Sequence, residues 1–531
     1  MKKNLFVWAA GLMALAACSN NDELLNNENL GGKVTVTATV PGGASGSRVT
    51  LTEDNETTPE QPTIKVEWET EESFSVIRGT DNVTYSKNAE GNIFTGEAHT
   101  ATEGDYYAFY PTTDATATDA LPYDLSTQTG ALDEAKTYMY AKSENGEKYE
   151  FHHLTALVKF TLTLPEGATN VTPTKVVIGS EKLQPVGTVN LTDDEVAYTP
   201  TENTATSITV TSTSLTFYAY VNPMTVSGDE KNTFVVSMDG SDGNFYSGTL
   251  ETSVSIQTGY LYAASVSMIK VEKGDFAMAD GSFIKYDANA ALTDEQKVEV
   301  AGIVFWTTAD MNTAEGAQTP AQLTDDQIMA TDFPHCTHGL IVSLKDVSTG
   351  TKWQETYSNI ASWQTSTFNA DNKSDYKSIA SSIGAVDLIN DILGYQNTMI
   401  LKAYNASLSD ADAGKKVLPV SSLESWEVTN PAPANTTGWF IPSVKELHML
   451  CYKDVDDVWE ASGRDKVDTK NAVNASLEKV DGTQFDNNYY WSSSERADYE
   501  GNAFALRFDG ADVGRSDKDY RPYYVRAVCA Y

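Results

Sequence analysis

The sequence predicts a mixed fold: two all-β sandwich domains followed by one α+β domain. Three observations carry this prediction. From residue 33 to about residue 270, short segments alternate apolar and polar residues with a period of two, separated by Gly, Asn, Asp and Pro. No window in that stretch has convincing helical periodicity. From Gly274 onward the text changes, and apolar runs suited to buried strands mix with segments of helical spacing. A chain of 531 residues is too long for one core. Its 40% hydrophobic content, with 27 Tyr, 18 Phe and 9 Trp, is enough to pack several cores and too high for a disordered chain.

The first residues are processing text. Lys2 and Lys3 form a basic region, and residues 5–15 form an apolar run too short to span a bilayer as a permanent helix. Leu15-Ala16-Ala17-Cys18 resembles a bacterial lipobox, which implies a diacylglycerol on the Cys18 thiol. Asp22 and Glu23 follow and resemble the surface-export tag of some Gram-negative lipoproteins. Each buried CH₂ of an acyl chain contributes about 0.8 kcal/mol, so two or three chains on one cysteine anchor stably to an outer membrane. The expected organisation is a signal peptide and lipobox at 1–18, a polar, Asn-rich tether at 19–32, sandwiches at 33–165 and 166–271, and the α+β domain at 272–531.

In the first strand, Val34, Val36, Ala38 and Val40 share one face, opposite Lys33, Thr35, Thr37 and Thr39. Similar strand text recurs at 64–68, 74–77, 105–110, 157–164, 175–178, 208–210, 215–221, 234–238 and 261–271. Pro165-Glu166-Gly167 is the expected division between the sandwiches. His152 and His153 are neighbours in strand text, so their side chains point to opposite faces and a structural role is expected.

Four motifs occur in order: Tyr106-Tyr107-Ala108-Phe109-Tyr110-Pro111, Phe151-His152-His153-Leu154-Thr155-Ala156-Leu157-Val158-Lys159-Phe160, Thr216-Phe217-Tyr218-Ala219-Tyr220-Val221-Asn222-Pro223 and Thr258-Gly259-Tyr260-Leu261-Tyr262. Behind a lipobox, this set resembles the Mfa-like fimbrillin family of bacterial surface lipoproteins and pilus subunits, over roughly residues 18–271. The resemblance implies assembly with other fimbrial subunits by strand donation, in which a neighbour's strand satisfies an exposed sheet edge. It also implies that a protease can cut after an arginine in the loop following the first strand. Arg48, in Ser47-Arg48-Val49, is the candidate, and a plain solvated loop arginine is the other reading.

In the α+β part, residues 276–283 read as a loop and short strand, 292–297 as a short helix or turn, and 301–306 and 339–344 as buried strands. Ile379, Ile383, Val386, Ile389 and Ile392 have helical spacing and predict a helix within 375–393. Ser443-Val444-Lys445-Glu446 is a capping box opening another helix, with Val444, Leu447 and Leu450 facing inward. A further helix is expected at 470–480.

Gly438-Trp439-Phe440-Ile441-Pro442-Ser443, then Tyr490-Trp491-Ser492-Ser493-Ser494-Glu495, then Val525-Arg526-Ala527-Val528 resembles the C-type-lectin-like domains of secreted bacterial proteins. More specifically, this part resembles the variable proteins of diversity-generating retroelements, in which the last residues form a ligand-binding face mutated at template adenines. Between Glu495 and Tyr524 the chain is dense in Arg, Tyr and Asp, the side chains of binding hot spots and their polar surroundings. The candidate ligand-binding residues are Arg496, Asp498, Tyr499, Phe504, Arg507, Asp509, Asp512, Arg515, Asp517, Asp519, Tyr520 and Arg521. Trp439, Trp491 and Arg526 are assigned to the scaffold.

Other chemistry is not indicated. The net charge of −37, from 37 basic and 74 acidic residues, argues against nucleic acid and against electrostatic binding to anionic lipid. His335-Cys336-Thr337-His338 contains zinc-ligand types but lacks an evident second pair, so no metal and no cofactor are assigned. Besides Cys18, the cysteines Cys336, Cys451 and Cys529 allow one bridge at most, or three buried thiols. The calcium-binding triplets of sugar-binding C-type lectins, the paired cysteines of formylglycine-generating oxidases, the P-loop and the nucleophile elbow are all absent. The expected function is therefore a non-enzymatic surface adhesin, at the tip of a fimbria, that displays a lectin-like face to an unidentified host or microbial ligand. A structural pilus subunit or anchor and a glycan-acting surface enzyme are the rival readings.

Overall fold

A computed structural model describes residues 33–40, 50–54, 63–68, 71–87, 91–132, 136–192, 196–202, 206–309, 322–371, 373, 375–381, 386–461, 463 and 465–531. Cys18, the tether and Arg48 lie outside the described residues. Among those before residue 272, every regular element is a strand.

The first core sits on an eight-stranded sheet. Its order is Lys148–Glu150, Lys33–Thr39, Ile93–Glu97, Asp81–Lys87, Ser73–Arg78, Tyr106–Tyr110, Met139–Ser143 and His152–His153. Val36 and Ala38 are fully buried, as the alternation of the first strand predicts. Trp68 lies edge-on to Phe94, Tyr110 and Phe151 at 5.3, 5.3 and 5.2 Å, so this core is built around an aromatic cluster. Such pairs contribute about 0.5–1.5 kcal/mol each beyond area burial. A small sheet of Leu121–Asp124, Val186–Asn190 and Ala197–Pro200 adds Leu121, Tyr123 and Val189 to the same core.

The second core lies between two sheets. One is Thr216–Val221, Ala156–Thr163 and Leu261–Ser267; the other runs Ile269–Lys270, Phe245–Thr252, Asn232–Gly240, Pro173–Gly179, Ser207–Val210 and Thr127–Gln128. Alternating burial along Asn232–Gly240 places Phe234, Val236 and Met238 inside. The sheets do not divide at residue 165. Ala156–Thr163, ahead of Pro165, pairs antiparallel with Thr216–Val221 and parallel with Leu261–Ser267. Thr127–Gln128 also crosses over to pair with Thr209 and Val210. Gln128 extends this join through its side chain, accepting from Tyr220 N at 2.8 Å and donating to Tyr220 O at 2.8 Å. Pro165-Glu166-Gly167 is instead a turn inside the second sandwich: Ala168 N donates to Pro165 O at 3.2 Å, and Gly167 takes φ 94°, where glycine is favoured. Punctuation residues mark a turn whether or not a domain ends there.

The C-terminal part is α+β, with two sheets. The first runs Phe283–Ile284, Phe276–Met278, Val300–Thr307, Gly339–Ser343 and Val528–Ala530. The second runs Ser348–Thr351, Tyr523–Val525, Tyr489–Arg496, Asn502–Arg507 and Asp512–Asp517, with Ala380–Ser381 parallel to Tyr489–Arg496. The capping box forms as expected: Ser443 Oγ accepts from Glu446 N at 3.4 Å, and Ser443 N donates to Glu446 Oε2 at 2.5 Å. It opens the helix Val444–Cys451, which is buried on all sides. Burial pushes the Glu446 carboxyl up to about 8 and the His448 imidazole down to about 3. Lys445, 1% exposed, is compensated by Asp454 at 2.6 Å.

Of the helix expected within 375–393, the described residues, which exclude Ile383, keep only a short piece. Ala380–Ser381 is a strand and the helix is only Val386–Ile389, so the buried Ile379, Ile389 and Ile392 reach the cores from different local structures. The longest helix, Gly394–Ser407, was not expected, nor was Leu418–Trp426. Gly394–Ser407 buries Gln396, Asn397, Thr398 and Asn405, so its inward face has no apolar period. Each is satisfied: Gln396 exchanges bonds with Lys377 at 3.1 and 3.2 Å, Asn397 Nδ2 donates to Ser493 Oγ at 3.4 Å, Thr398 Oγ1 accepts from Ile441 N at 2.9 Å, and Asn405 exchanges bonds with Val417 at 3.0 and 2.7 Å.

The second sandwich meets the C-terminal part through His338. Its Nε2 lies 2.6 Å from Asp239 Oδ1, and its ring stacks on Phe245 at 4.2 Å. Tyr531 packs beside Phe245 and Phe283 at 5.6 and 4.9 Å. Cys336, Cys451 and Cys529 are buried free thiols, which settles the cysteine alternatives. Among the described residues, no three His, Cys, Asp or Glu side chains converge as a metal site. No described helix is long and apolar enough to cross a membrane.

Candidate ligand-binding face

The terminal sheet is anchored by small buried residues. Ser492, Ser493 and Ser494 occupy a strand that side chains of greater bulk would push off its neighbours. Ser492 Oγ donates to Phe504 O at 2.8 Å, Trp353 Nε1 donates to Ser492 O at 3.1 Å, and Trp491 Nε1 donates to Thr351 O at 2.8 Å. Arg526, fully buried, pairs with Asp346 at 2.9 Å. Trp439, Trp491 and Arg526 are thus scaffold residues.

Glu495 ends this anchored strand. Its carboxylate accepts from Ile360 N at 3.1 Å and Ala361 N at 2.7 Å, at the start of the helix Ile360–Trp363, and from the ammonium of Lys518. Lys518 also donates to Ser358 O at 2.8 Å and lies over the Trp353 ring at 5.0 Å. Lys518 N donates to Gly501 O at 2.9 Å, which sets the loop carrying Asp498 and Tyr499 beside the one carrying Asp519, Tyr520 and Arg521.

The twelve candidates do not form one patch. Directly paired residues share a face of a sheet. Asn502 pairs with Asp517, Phe504 with Arg515, and Arg507 with Asp512, so Arg515 and Asp517 point opposite to Arg507 and Asp512. The first group lies around the two loops. Arg496 clasps Asp498 with Nε and Nη2 at 2.5 and 2.6 Å, which holds that carboxyl below its usual range. Asn502 Nδ2 donates to Asp517 Oδ1 at 2.7 Å. Tyr499 and Tyr520 are 58% and 66% exposed, unusual values for such large rings. In the second group, Arg507 pairs with Asp509 at 2.7 Å and lies over the Tyr489 ring at 5.8 Å, with Asp512 exposed across the strand. Phe504 belongs to neither group. It shares a face with Arg515 but lies on an interior strand under the helix Val444–Cys451, fully buried against Ile389, Val444 and Val458, and its inclusion among ligand-binding residues is corrected.

Three neighbours escaped sequence reasoning. Trp459 lies under the Arg515 guanidinium at 4.9 Å, although 56 positions separate them in the chain. Tyr489 and Tyr523 stack at 4.9 Å and 18°, and Gly514 keeps clear the space beside Tyr489. Strand periodicity could have found Tyr489, since it sits two positions before Trp491 and so shares its face. No sequence signal ties Trp459 to Arg515.

The all-β half, with its aromatic first core and shared strands, is what a comparison with protein families addresses. Residues 47–280 match the fimbrillin-like family. The fimbrillin-like region thus covers the two sandwiches from residue 47 and ends ahead of the terminal sheet. A curated relative from Bacteroides ovatus, named "Putative fimbrium tip subunit Fim1C", is 29% identical over 236 residues, which span 43% of this chain and 39% of that protein. Among solved structures, a fimbrial protein from Bacteroides ovatus aligns over 93% of this chain and 99% of its own, with 18% identity and a TM-score of 0.41. The tip fimbrial protein Mfa3 from Porphyromonas gingivalis, truncated at its C-terminus, aligns over 34% of this chain and 77% of its own, with 8% identity and a TM-score of 0.19.

Proposed function

We propose that this chain is a cell-surface fimbrial subunit, placed at the tip, whose C-terminal part presents a ligand-binding face. The observation that carries the reading is the pairing of Tyr499 and Tyr520, 58% and 66% exposed, with the buried Lys518 and Glu495 that hold their loops. Exposed aromatic rings on an ordered support lose little side-chain freedom on binding, which is what affinity requires. The fimbrillin-like match supports the assembly half of the proposal, with the sandwiches joining other subunits by strand donation. In this reading Cys18 carries the lipid that tethers the protein to the outer membrane, and Arg48 is the processing site.

The C-terminal part takes a C-type-lectin-like role, and its segment 496–521 is the one a retroelement would diversify. Carboxylates and arginines on an open face suit recognition better than catalysis, since they converge on no deep pocket. Two clefts of ≈ 380 and ≈ 390 Å³ open elsewhere and take no lining residue from 489–531.

The test is adherence of cells carrying the wild-type chain against the Tyr499→Ala/Tyr520→Ala double variant, with fimbriae imaged by immunogold. Lost adherence with gold confined to fimbrial ends is expected. Unchanged adherence, or gold repeated along the fibre, overturns the proposal. A near-copy of the last coding segment differing only at adenines, beside a reverse-transcriptase gene, would establish the diversified reading.

A further inference from the structure

The four arginines of the terminal segment differ in what neutralises them. Arg496 is clasped by Asp498, and Arg507 by Asp509. Among the described residues, Arg515 and Arg521 have no carboxylate at ion-pair distance, and both are exposed. Each lies over an aromatic ring, Arg515 over Trp459 and Arg521 over Tyr520, both at 4.9 Å. Stacking engages the face of a guanidinium and leaves the N–H donors at its edge free, already oriented for a planar two-oxygen acceptor. In a chain of net charge −37 with 74 acidic residues, two arginines left without a carboxylate on one edge strand and its adjoining loop are conspicuous.

The rest of the surface adds the complementary requirement. On the same side as Arg515, Asp517 is exposed, and Asp519 in the adjoining loop is half-exposed; ionised carboxylates only accept hydrogen bonds. A ligand must therefore supply many donors as well as one acceptor group for the arginines. The exposed rings of Tyr499 and Tyr520 have charged chain neighbours, Asp498, Asp519 and Arg521, and among the described residues the other exposed large hydrophobics, Val254, Val298, Tyr357 and Val428, lie outside residues 489–531, which gives a protein partner no apolar patch of exposed side chains there. Sugar hydroxyls supply donors, ring C–H faces lie on aromatic rings, and a uronic or sialic carboxylate fits a guanidinium fork.

We propose that the ligand is a carboxylated saccharide whose acid group is read by Arg515 on Trp459 and Arg521 on Tyr520. The proposal rests on the ligand-binding reading of this surface and names the chemistry it selects.

The test measures binding of the full chain to oligogalacturonate and to 3′-sialyllactose, each beside its carboxyl-reduced counterpart, with poly-glutamate as an acidic peptide control. Wild type is expected to bind at least one acidic saccharide at least tenfold tighter than its reduced form. Arg515→Gln or Arg521→Gln is expected to remove that preference, while Arg515→Lys, which keeps charge but loses the fork, restores it in part. Equal affinity for acidic and reduced forms, no saccharide binding, full preference in both glutamine variants, or equal binding of poly-glutamate each overturns the proposal. None of these outcomes touches the ligand-binding reading, which fails separately if the Tyr499→Ala/Tyr520→Ala variant adheres normally.

Discussion

Lys518 and Glu495 form an ion pair with both side chains out of solvent, 0% and 1% exposed. Each is the chain neighbour of candidates: Glu495 precedes the half-buried Arg496, and Lys518 lies between the exposed Asp517 and the half-exposed Asp519. The pair is also bonded to two helix N–H groups and a carbonyl, so the desolvation of both charges is well compensated.

Removing one partner leaves the other buried and uncompensated. Lys518→Met is expected to destabilise the C-terminal part by about 3–5 kcal/mol, and Lys518→Met/Glu495→Leu by much less. Urea unfolding followed by tryptophan fluorescence reads both. A double variant as unstable as the single one contradicts this account.

Phe504 and the two exposed tyrosines should part company. Phe504→Ala empties a buried site and is expected to cost about 3–5 kcal/mol. Tyr499→Ala and Tyr520→Ala are each expected to stay within about 0.5 kcal/mol of wild type, since exposed positions of this kind carry little folding energy. Thermal unfolding separates the two classes, and loss of adherence should follow only the tyrosines.

Stability should fall between pH 6.5 and 8. With its folded value raised to about 8, Glu446 keeps a proton that the unfolded chain releases near 4.5. Its contribution is therefore complete below about 4.5 and lost as pH rises through about 8. His448, lowered to about 3 from 6.5, acts in the opposite sense, its contribution being complete above 6.5 and lost on acidification. Above pH 6.5 the slope of Glu446 remains, at most about 1.4 kcal/mol per pH unit. Glu446→Gln keeps an acceptor for Ser443 N and should flatten the unfolding midpoint between pH 6.5 and 8. An unchanged slope in that variant excludes Glu446 as its source.

His338 is expected to hold the C-terminal part on the second sandwich. His338→Ala removes both the 2.6 Å contact to Asp239 and the stack on Phe245, and should weaken docking by about 1–2 kcal/mol. Calorimetry should then resolve two transitions more widely separated than in wild type, and limited proteolysis should cut faster near residue 272. Asp239→Asn should have a smaller effect, because the ring stack survives.

The strands of the all-β half were legible because one face of each meets a core, as Val36 and Ala38 or Phe234, Val236 and Met238 illustrate. Helices were legible where a cap or an apolar stripe announced them, as at Ser443. Gly394–Ser407 was not, because its buried side mixes Ile400, Leu401 and Tyr404 with the hydrogen-bonded Gln396, Thr398 and Asn405, which breaks up the apolar stripe. Ile379, Ile389 and Ile392 show the converse error, a helical spacing shared by a residue just before a strand, one in a short helix and one in a loop. Within the terminal segment, composition located the exposed Arg, Tyr and Asp residues, but strand order decides which of them reach solvent, and the interior strand buries Phe504 while the edge strand exposes Arg515. Trp459 was out of reach, because its role depends on a contact between distant parts of the chain.

The way Glu495 and Lys518 carry the terminal loops also bears on how freely this protein can change over generations. The groups that fix the loops, Ser492 to Glu495 and Lys518, point inward, while Tyr499, Arg515, Tyr520 and Arg521 contribute little to the fold. Inheritance can therefore rewrite the outward side chains one by one without risking collapse of the domain.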